Sequence, residues 1–292
     1  MRTQNSNARL YVELEGDRGP TVVYLHGAGS SARTWSWLPT GVTAGRVTMR
    51  VDLRGHGRSD RSSRYDVPGI GSDILAALDA YAPPRPVTFV GHSLGGVVAW
   101  WVAQCHPHRV AAALLVDPPL LLGSRDEFGR STFHTTFSRL RMGIGDLRAS
   151  GLTAEGIAKQ IGWLPVSRDP VVPLREHISE DALEAMAFSY RWLDLAVLDS
   201  VLNGQMMAGF DPARPLGAPV IVLRAEHGAA LTAEHALRLA DLHPAVDIVT
   251  VAGSGHGMHE ERAARPVFTE YLAEFLAQHA PIDDRVAAAA RV

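Results

Sequence analysis

Lysine and cysteine are almost absent from this sequence. Of its 28 basic residues only Lys159 is a lysine, and 31 acidic residues leave a formal charge of −3. That balance supplies no broad cationic face for neutralising phosphates, which argues against nucleic acid as a partner. The one cysteine, Cys105, cannot close an internal disulfide, and its setting in Val102-Ala103-Gln104-Cys105 favours a buried thiol over a nucleophile. No run reaches the roughly 18 apolar residues that cross a bilayer. The opening residues, Met1-Arg2-Thr3-Gln4-Asn5-Ser6-Asn7, lack the apolar core of a secretory signal. The expectation is a cytoplasmic protein without membrane association.

What is present is ordinary globular material: 292 residues, 46% apolar and 20% charged, enough for one large domain or a domain carrying an insertion. Near-continuous apolar runs at 21–25, 47–51, 87–90 and 112–116 read as strands buried on both faces, separated by helix-length stretches at 69–81 and 95–106. The rhythm returns late, with strands at 219–223 and 246–251, a helix at 233–242 capped by Thr232, and a closing helix at 263–279 stopped by Pro281. Such alternation predicts an α/β fold, a mostly parallel twisted sheet with helices on both faces. Between about residues 120 and 216 only helical patterns are legible, at 130–142, 153–161 and 179–202. The expected organisation is a core of 1–120 and 215–292 with an all-helical cap over 121–214. Trp163, Phe188, Tyr190, Trp192, Met206 and Met207 are the cap's candidates for lining an apolar pocket. Trp163, Trp192 and, ahead of the cap, Trp35 are taken as the substrate-binding set. The mostly alanine stretch 286–292 reads as a fraying helix or as unstructured.

The strongest chemical signal is Val87-Thr88-Phe89-Val90-Gly91-His92-Ser93-Leu94-Gly95-Gly96, an apolar strand running into Gly-x-Ser-x-Gly and then a helix. A serine on so sharp a turn needs tiny residues two before and two after it, and Gly91 and Gly95 meet that demand. The turn exposes the Ser93 hydroxyl at the carboxyl edge of the sheet and brings the Leu94 amide beside it. Upstream, Leu25-His26-Gly27-Ala28-Gly29-Ser30 is another strand ending in small residues, where the Ala28 amide is placed to complete an oxyanion hole with Leu94. The charged residues of Val51-Asp52-Leu53-Arg54-Gly55-His56-Gly57-Arg58-Ser59 read as loop-fixing.

Together these three strand-end motifs closely resemble the α/β-hydrolase superfamily, over nearly the whole chain except its helical middle. The resemblance implies a Ser–His–acid triad, met along the chain in the order serine, acid, histidine, with no cofactor. His256, in Ser254-Gly255-His256-Gly257 between the last strand and the closing helix, maps onto the triad base. His259 is its rival and pairs with it at a spacing that metals use, but no His-Glu-x-x-His ligand set accompanies them. The acid departs from the common pattern: Leu223-Arg224-Ala225-Glu226-His227-Gly228 offers glycine where an Asp is due. Asp117, at the end of the 112–116 strand, matches the position used by a minority that includes lactone hydrolases of the mycoestrogen-degrading type. The requirement that a carboxylate reach the far ring nitrogen of His256 favours Asp117, with Glu226 as the alternative.

The resemblance implies a serine hydrolase that cleaves a carboxylic ester or lactone of an apolar small molecule through an acyl-enzyme. Serine at position 93 argues against dehalogenases and epoxide hydrolases of this fold, whose nucleophile is an aspartate. C–C bond hydrolases, acyl-transferring or cyclising relatives and a catalytically weak ligand-binding receptor remain as alternatives.

Overall fold

Alternate residues along the central strands enter two different apolar clusters, and this two-sidedness dictates the architecture. Val23 and Leu25 join one cluster while Val22 and Tyr24 join the other; further on, Ala113 and Leu115 oppose Ala112, Leu114 and Val116. Strands buried on both faces need helices on both sides of the sheet. The computed structural model describes residues 8–122, 125–168 and 170–282, without the side chains of 123–127 and 167–169. The predicted behaviour of 286–292 falls outside these residues.

The strands are β1 (Tyr11–Glu15), β2 (Thr21–Leu25), β3 (Val47–Asp52), β4 (Val87–His92), β5 (Val110–Val116), β6 (Pro165–Arg168), β7 (Val171–Pro173), β8 (Val220–Ala225) and β9 (Asp247–Val251). Seven form one sheet in the order β1-β3-β2-β4-β5-β8-β9, parallel except for β1, which runs antiparallel on β3. Strand β1 was not expected from the pattern. It is a partly exposed edge of only five residues, so its Tyr-Val-Glu-Leu-Glu alternation lacks the continuous apolar run that betrays the interior strands.

Helices α1 (Val67–Tyr81) and α2 (Leu94–Cys105) pack on one face, and α8 (Arg265–His279) packs on the other through Phe268, Leu272, Phe275 and Leu276. The sequence between β5 and β8 supplies α3 (Thr132–Ala149), α4 (Ala154–Ile161), α5 (Glu180–Trp192) and α6 (Leu195–Leu202), and α7 (Ala233–Leu242) follows β8 with Thr232 as its cap. Cys105 ends α2 only partly buried, with its sulfur accepting from Arg214, so the expectation of a buried thiol needs correcting.

The pattern predicted a wholly helical segment between β5 and β8, and the structure corrects this. Strands β6 and β7 pair as an antiparallel ribbon, extended at its base by Leu174 N to Leu164 O (2.8 Å). Pro165 and Pro173 face each other at one end and Val171 and Val172 fill the return, a composition that disfavours helix. The predicted helix 179–202 also breaks, at Leu193-Asp194. There Asp194 caps α6 through the Ala196 amide, donates its own amide to Gly55 O (2.7 Å) and accepts the Tyr65 hydroxyl (2.7 Å). Leu193, Val197 and Leu198 belong to the main core cluster, so the insertion is packed on the sheet domain.

Connections leave β2 toward β3 on one side and reach β4 and β5 on the other, so the chain reverses its direction of travel between β2 and β4. Open parallel sheets carry their crevice at such a point, beyond the carboxyl ends of the strands. Leu25 pairs with Gly91 there, and backbones meet at closest range. A Cβ on Gly95 would lie 2.5 Å from Leu25 O, and one on Gly91 would lie 2.5 Å from Gly95 O. Neither carbonyl can yield without moving the end of β2 or the first turn of α2. Gly95→Ala should therefore lower stability by about 1–3 kcal/mol. Gly41→Ala, whose Cβ meets nothing within 4 Å, should leave the urea midpoint unchanged or slightly raised.

Candidate active site

Ser93 stands between β4 and α2 with φ 50° and ψ −116°, a left-handed conformation that a side chain rarely adopts. Its amide donates to Val116 O (2.9 Å), which couples the turn to the end of β5. Leu94 is the first residue of α2, so its amide has no acceptor within the helix. Asp117 follows β5, also at positive φ (44°), and its amide donates to Leu223 O (2.7 Å).

The Asp117 carboxylate is fully buried. Oδ2 accepts from His256 Nδ1 at 2.6 Å and from the Ala230 amide at 2.7 Å, while Oδ1 takes the Ala225 and Leu231 amides at 3.3 Å each. With Nδ1 engaged as the donor, the His256 ring presents Nε2 as its free basic nitrogen. Phe133 meets this ring edge-on, with centroids 5.1 Å apart. Glu226 is elsewhere: its Oε2 accepts the Gly253 amide (2.8 Å) and lies 3.4 Å from His227. The geometry thus brings Asp117, and not Glu226, to His256.

Two neutral histidines hold the loop that carries Ala28. His26 Nδ1 donates to Gly27 O (2.8 Å) and its Nε2 accepts the Leu53 amide (3.0 Å); His56 Nδ1 donates to Arg54 O (3.0 Å) and its Nε2 accepts the Gly29 amide (3.1 Å). Each ring uses one nitrogen as donor and the other as acceptor, which only the neutral form allows. Asp52 accepts the Ala32 and Arg58 amides (2.7 and 2.9 Å), and Arg54 is tied to Asp73 and to Gly69 O. These residues fix the loop, as their sequence setting suggests.

Ser93, Ala28, Phe133 and Phe137 are shared by two adjoining recesses. The larger, about 270 Å³, also has His256, Met186, Tyr190 and Glu260 in its walls; the smaller, about 50 Å³, is closed by Val97, Leu122, Phe128, Met206 and Met207. The tryptophans assigned to substrate binding are not among these walls. Trp35 is fully buried, stacked on His259 (centroids 4.4 Å) and packed on Tyr24 and Phe268. Trp163 is 62% exposed beneath the Arg175 guanidinium, and Trp192 is half-exposed beside Phe188. Trp163 follows the end of α4 in the turn toward the ribbon, so helical spacing gave no guide to its direction. Phe128, Phe133, Phe137 and Glu260 were missed; the phenylalanines lie on a predominantly polar helical stretch whose inner face becomes apparent only once α3 is docked.

His92, before the serine, donates its Nε2 proton to His256 O (3.0 Å), and His259 Nε2 lies 3.2 Å from Thr34 Oγ1. Thus His259 packs the core, while His256 faces the recess.

A profile described as "Alpha/beta hydrolase family" matches residues 22–270. Over 118 residues the chain is 37% identical to Lipase LipV of Mycobacterium tuberculosis, a stretch covering 40% of this chain and 44% of that protein. Over 107 residues it is 38% identical to a pimeloyl-acyl-carrier-protein methyl ester esterase of Methylococcus capsulatus, covering 37% and 40%. The matched stretches therefore span less than half of either relative. A solved N-acyl homoserine lactone degrading enzyme shares the fold, with a TM-score of 0.67 at 22% identity over 93% of this chain and 98% of that one.

The buried imidazoles make the fold sensitive to acid. Burial pushes His26 from the ordinary 6.5 down to about 4, and His56 and His259 down to about 3. The unfolded chain takes up these protons near pH 6.5 while the folded chain refuses them, so stability falls as pH drops from about 6.5 toward 4. Each group contributes up to about 2 kcal/mol of loss between pH 7.5 and 5. In urea titrations at those two pH values, His56→Gln, which can keep both hydrogen bonds, should lose less stability on acidification than the wild type, by about 1–2 kcal/mol.

Proposed function

The chain belongs to the alpha/beta hydrolase family, and from that premise we propose that it hydrolyses a carboxylic ester or lactone by way of an acyl-enzyme on Ser93. The observation that carries this reading is the 2.6 Å hydrogen bond from His256 Nδ1 to the buried Asp117, at a recess whose wall also includes Ser93. His256 Nε2 takes the Ser93 proton as the hydroxyl oxygen attacks the carbonyl carbon. The Ala28 and Leu94 amides stabilise the resulting oxyanion. His256 then gives the proton to the leaving alkoxide, and water attacks the acyl-enzyme by the same route to release the acid.

Asp117 holds the imidazole in the tautomer that leaves Nε2 basic and stabilises the imidazolium that forms. The insertion, taken as a cap over 121–214, covers the site with Phe128, Phe133, Phe137, Met186, Tyr190 and Met206, and this lining supports a small, largely apolar acyl substrate. Named relatives include a lipase and a methyl ester esterase, which supports ester chemistry for this chain as well.

Three variants test the assignment. Ser93→Ala should abolish turnover of short p-nitrophenyl esters, and a fluorophosphonate should label the wild type on Ser93 alone. Asp117→Asn, folded but unable to stabilise the imidazolium, should lose up to about 10⁴-fold in kcat, and Glu226→Gln less than about tenfold. Full activity in the serine variant, or labelling of Cys105, would refute the mechanism; a large loss confined to Glu226→Gln would reassign the acid.

A further inference from the structure

Glu260 occupies a position that hydrolysis of an apolar ester does not call for. Among the described residues it is the one acidic or permanently charged side chain in the wall of the larger recess at Ser93 and His256, where it stands with Phe133, Phe137, Met186 and Tyr190. One carboxylate oxygen accepts the Thr34 hydroxyl and lies 3.9 Å from His259 Nε2; Oε2 accepts no hydrogen bond from any described residue. The nearby cation is engaged elsewhere, because Arg265 donates to both oxygens of Asp181 (3.0 Å each), to Ser179 Oγ and to His259 O. Burial pushes the Glu260 carboxyl up from its ordinary range, with the Thr34 hydrogen bond and the Arg265 charge acting the other way.

The backbone at this position does not depend on the side chain. Glu260 N donates to Gly257 O (2.7 Å) and Glu260 O accepts the Ser179 amide (3.1 Å). The adjacent Glu261 does the local bracing: its carboxylate accepts the Gly255 amide (2.8 Å) and lies 3.6 Å from His177 Nε2. Glu260 is thereby left facing the substrate volume with one oxygen unused. A carboxylate among aromatic rings is the combination that holds an alkylammonium, the oxygen neutralising the charge and the ring faces contacting the cation.

We propose that Glu260 forms a specificity-determining subsite for the ammonium group of an amine-bearing ester, a reading that rests on the hydrolase assignment of the same recess. A cationic substrate supplies the missing partner of the carboxylate, whereas an isosteric neutral one leaves it unpaired in a largely apolar cavity.

The test compares kcat/KM for p-nitrophenyl ε-aminohexanoate and p-nitrophenyl heptanoate, which differ in an ammonium against a methyl group. The wild type should prefer the ammonium ester. Glu260→Gln should lower the ammonium-to-methyl ratio by about tenfold or more, and Glu260→Leu should invert it while raising turnover of the heptanoate. Both esters are read on the same sample, so a variant that is only partly folded changes both rates alike and leaves the ratio intact. A ratio that stays at the wild-type value in both variants overturns the proposal. Failure of the wild type to turn over either ester would defeat the hydrolase reading instead. Calorimetric titration with hexylammonium chloride then reads the subsite without any ester: binding lost in Glu260→Gln supports it, and no binding to the wild type, or equal binding to both, overturns it.

Discussion

The Asp117 carboxylate is sealed from water and surrounded by four donors, the amides of Ala225, Ala230 and Leu231 and the Nδ1 proton of His256. Burying an ionised carboxylate costs several kcal/mol unless hydrogen bonds replace its hydration. The donors that do so come from the end of β8, the loop after it and the loop after β9. The interaction therefore fastens three separate parts of the chain to the tip of β5. Its backbone is strained to suit: φ of 44° at Asp117 and 50° at Ser93 are both left-handed, a cost of about 1–3 kcal/mol each that the surrounding packing must offset.

A second set of restraints serves the opposite side of the recess. His26 and His56 each span two backbone segments, joining the end of β2 to the loop after β3. Replacing either with an apolar residue would leave buried amides and carbonyls unsatisfied, and protonating either would turn its acceptor nitrogen into a donor aimed at an amide. The loop carrying Ala28 and the turn carrying Ser93 are thus rigid for different reasons, one held by neutral imidazoles and the other by glycine-permitted backbone contact.

The parts legible in the sequence are those where one local rule acts alone. Doubly buried strands announce themselves as apolar runs, and the serine turn announces itself through Gly91 and Gly95, because backbone contact at 2.5 Å tolerates nothing larger. Asp117 was legible through a resemblance and through the reach a carboxylate needs. The edge strand β1 was not, since one exposed face removes half its apolar signal. The β6–β7 ribbon was hidden by its short length within a helical neighbourhood. The pocket walls were harder still: an aromatic at helical spacing can face in or out, and Trp163 and Trp192 face out while Phe133 and Phe137 face in. Tyr190, Met206 and Met207, read from the sequence as candidates to line a pocket, do line the recesses.

The insertion touches the rest of the molecule at points next to the recess. Ser189 Oγ donates to Ser31 Oγ (2.8 Å) beside the Ala28 loop, and the Ser179 amide donates to Glu260 O, four residues beyond His256. Ile178 forms a β-bridge with Glu261, and Arg262 returns its amide to His177 O. The segment between β5 and β8, part helix and part ribbon, is consequently fastened to the loops that carry Ala28 and His256. Exchanging the segment wholesale would also exchange these restraints on the loops carrying His256 and Ala28, whereas substitutions on the inward face of α3 and α5 would reshape the recess and leave the restraints in place.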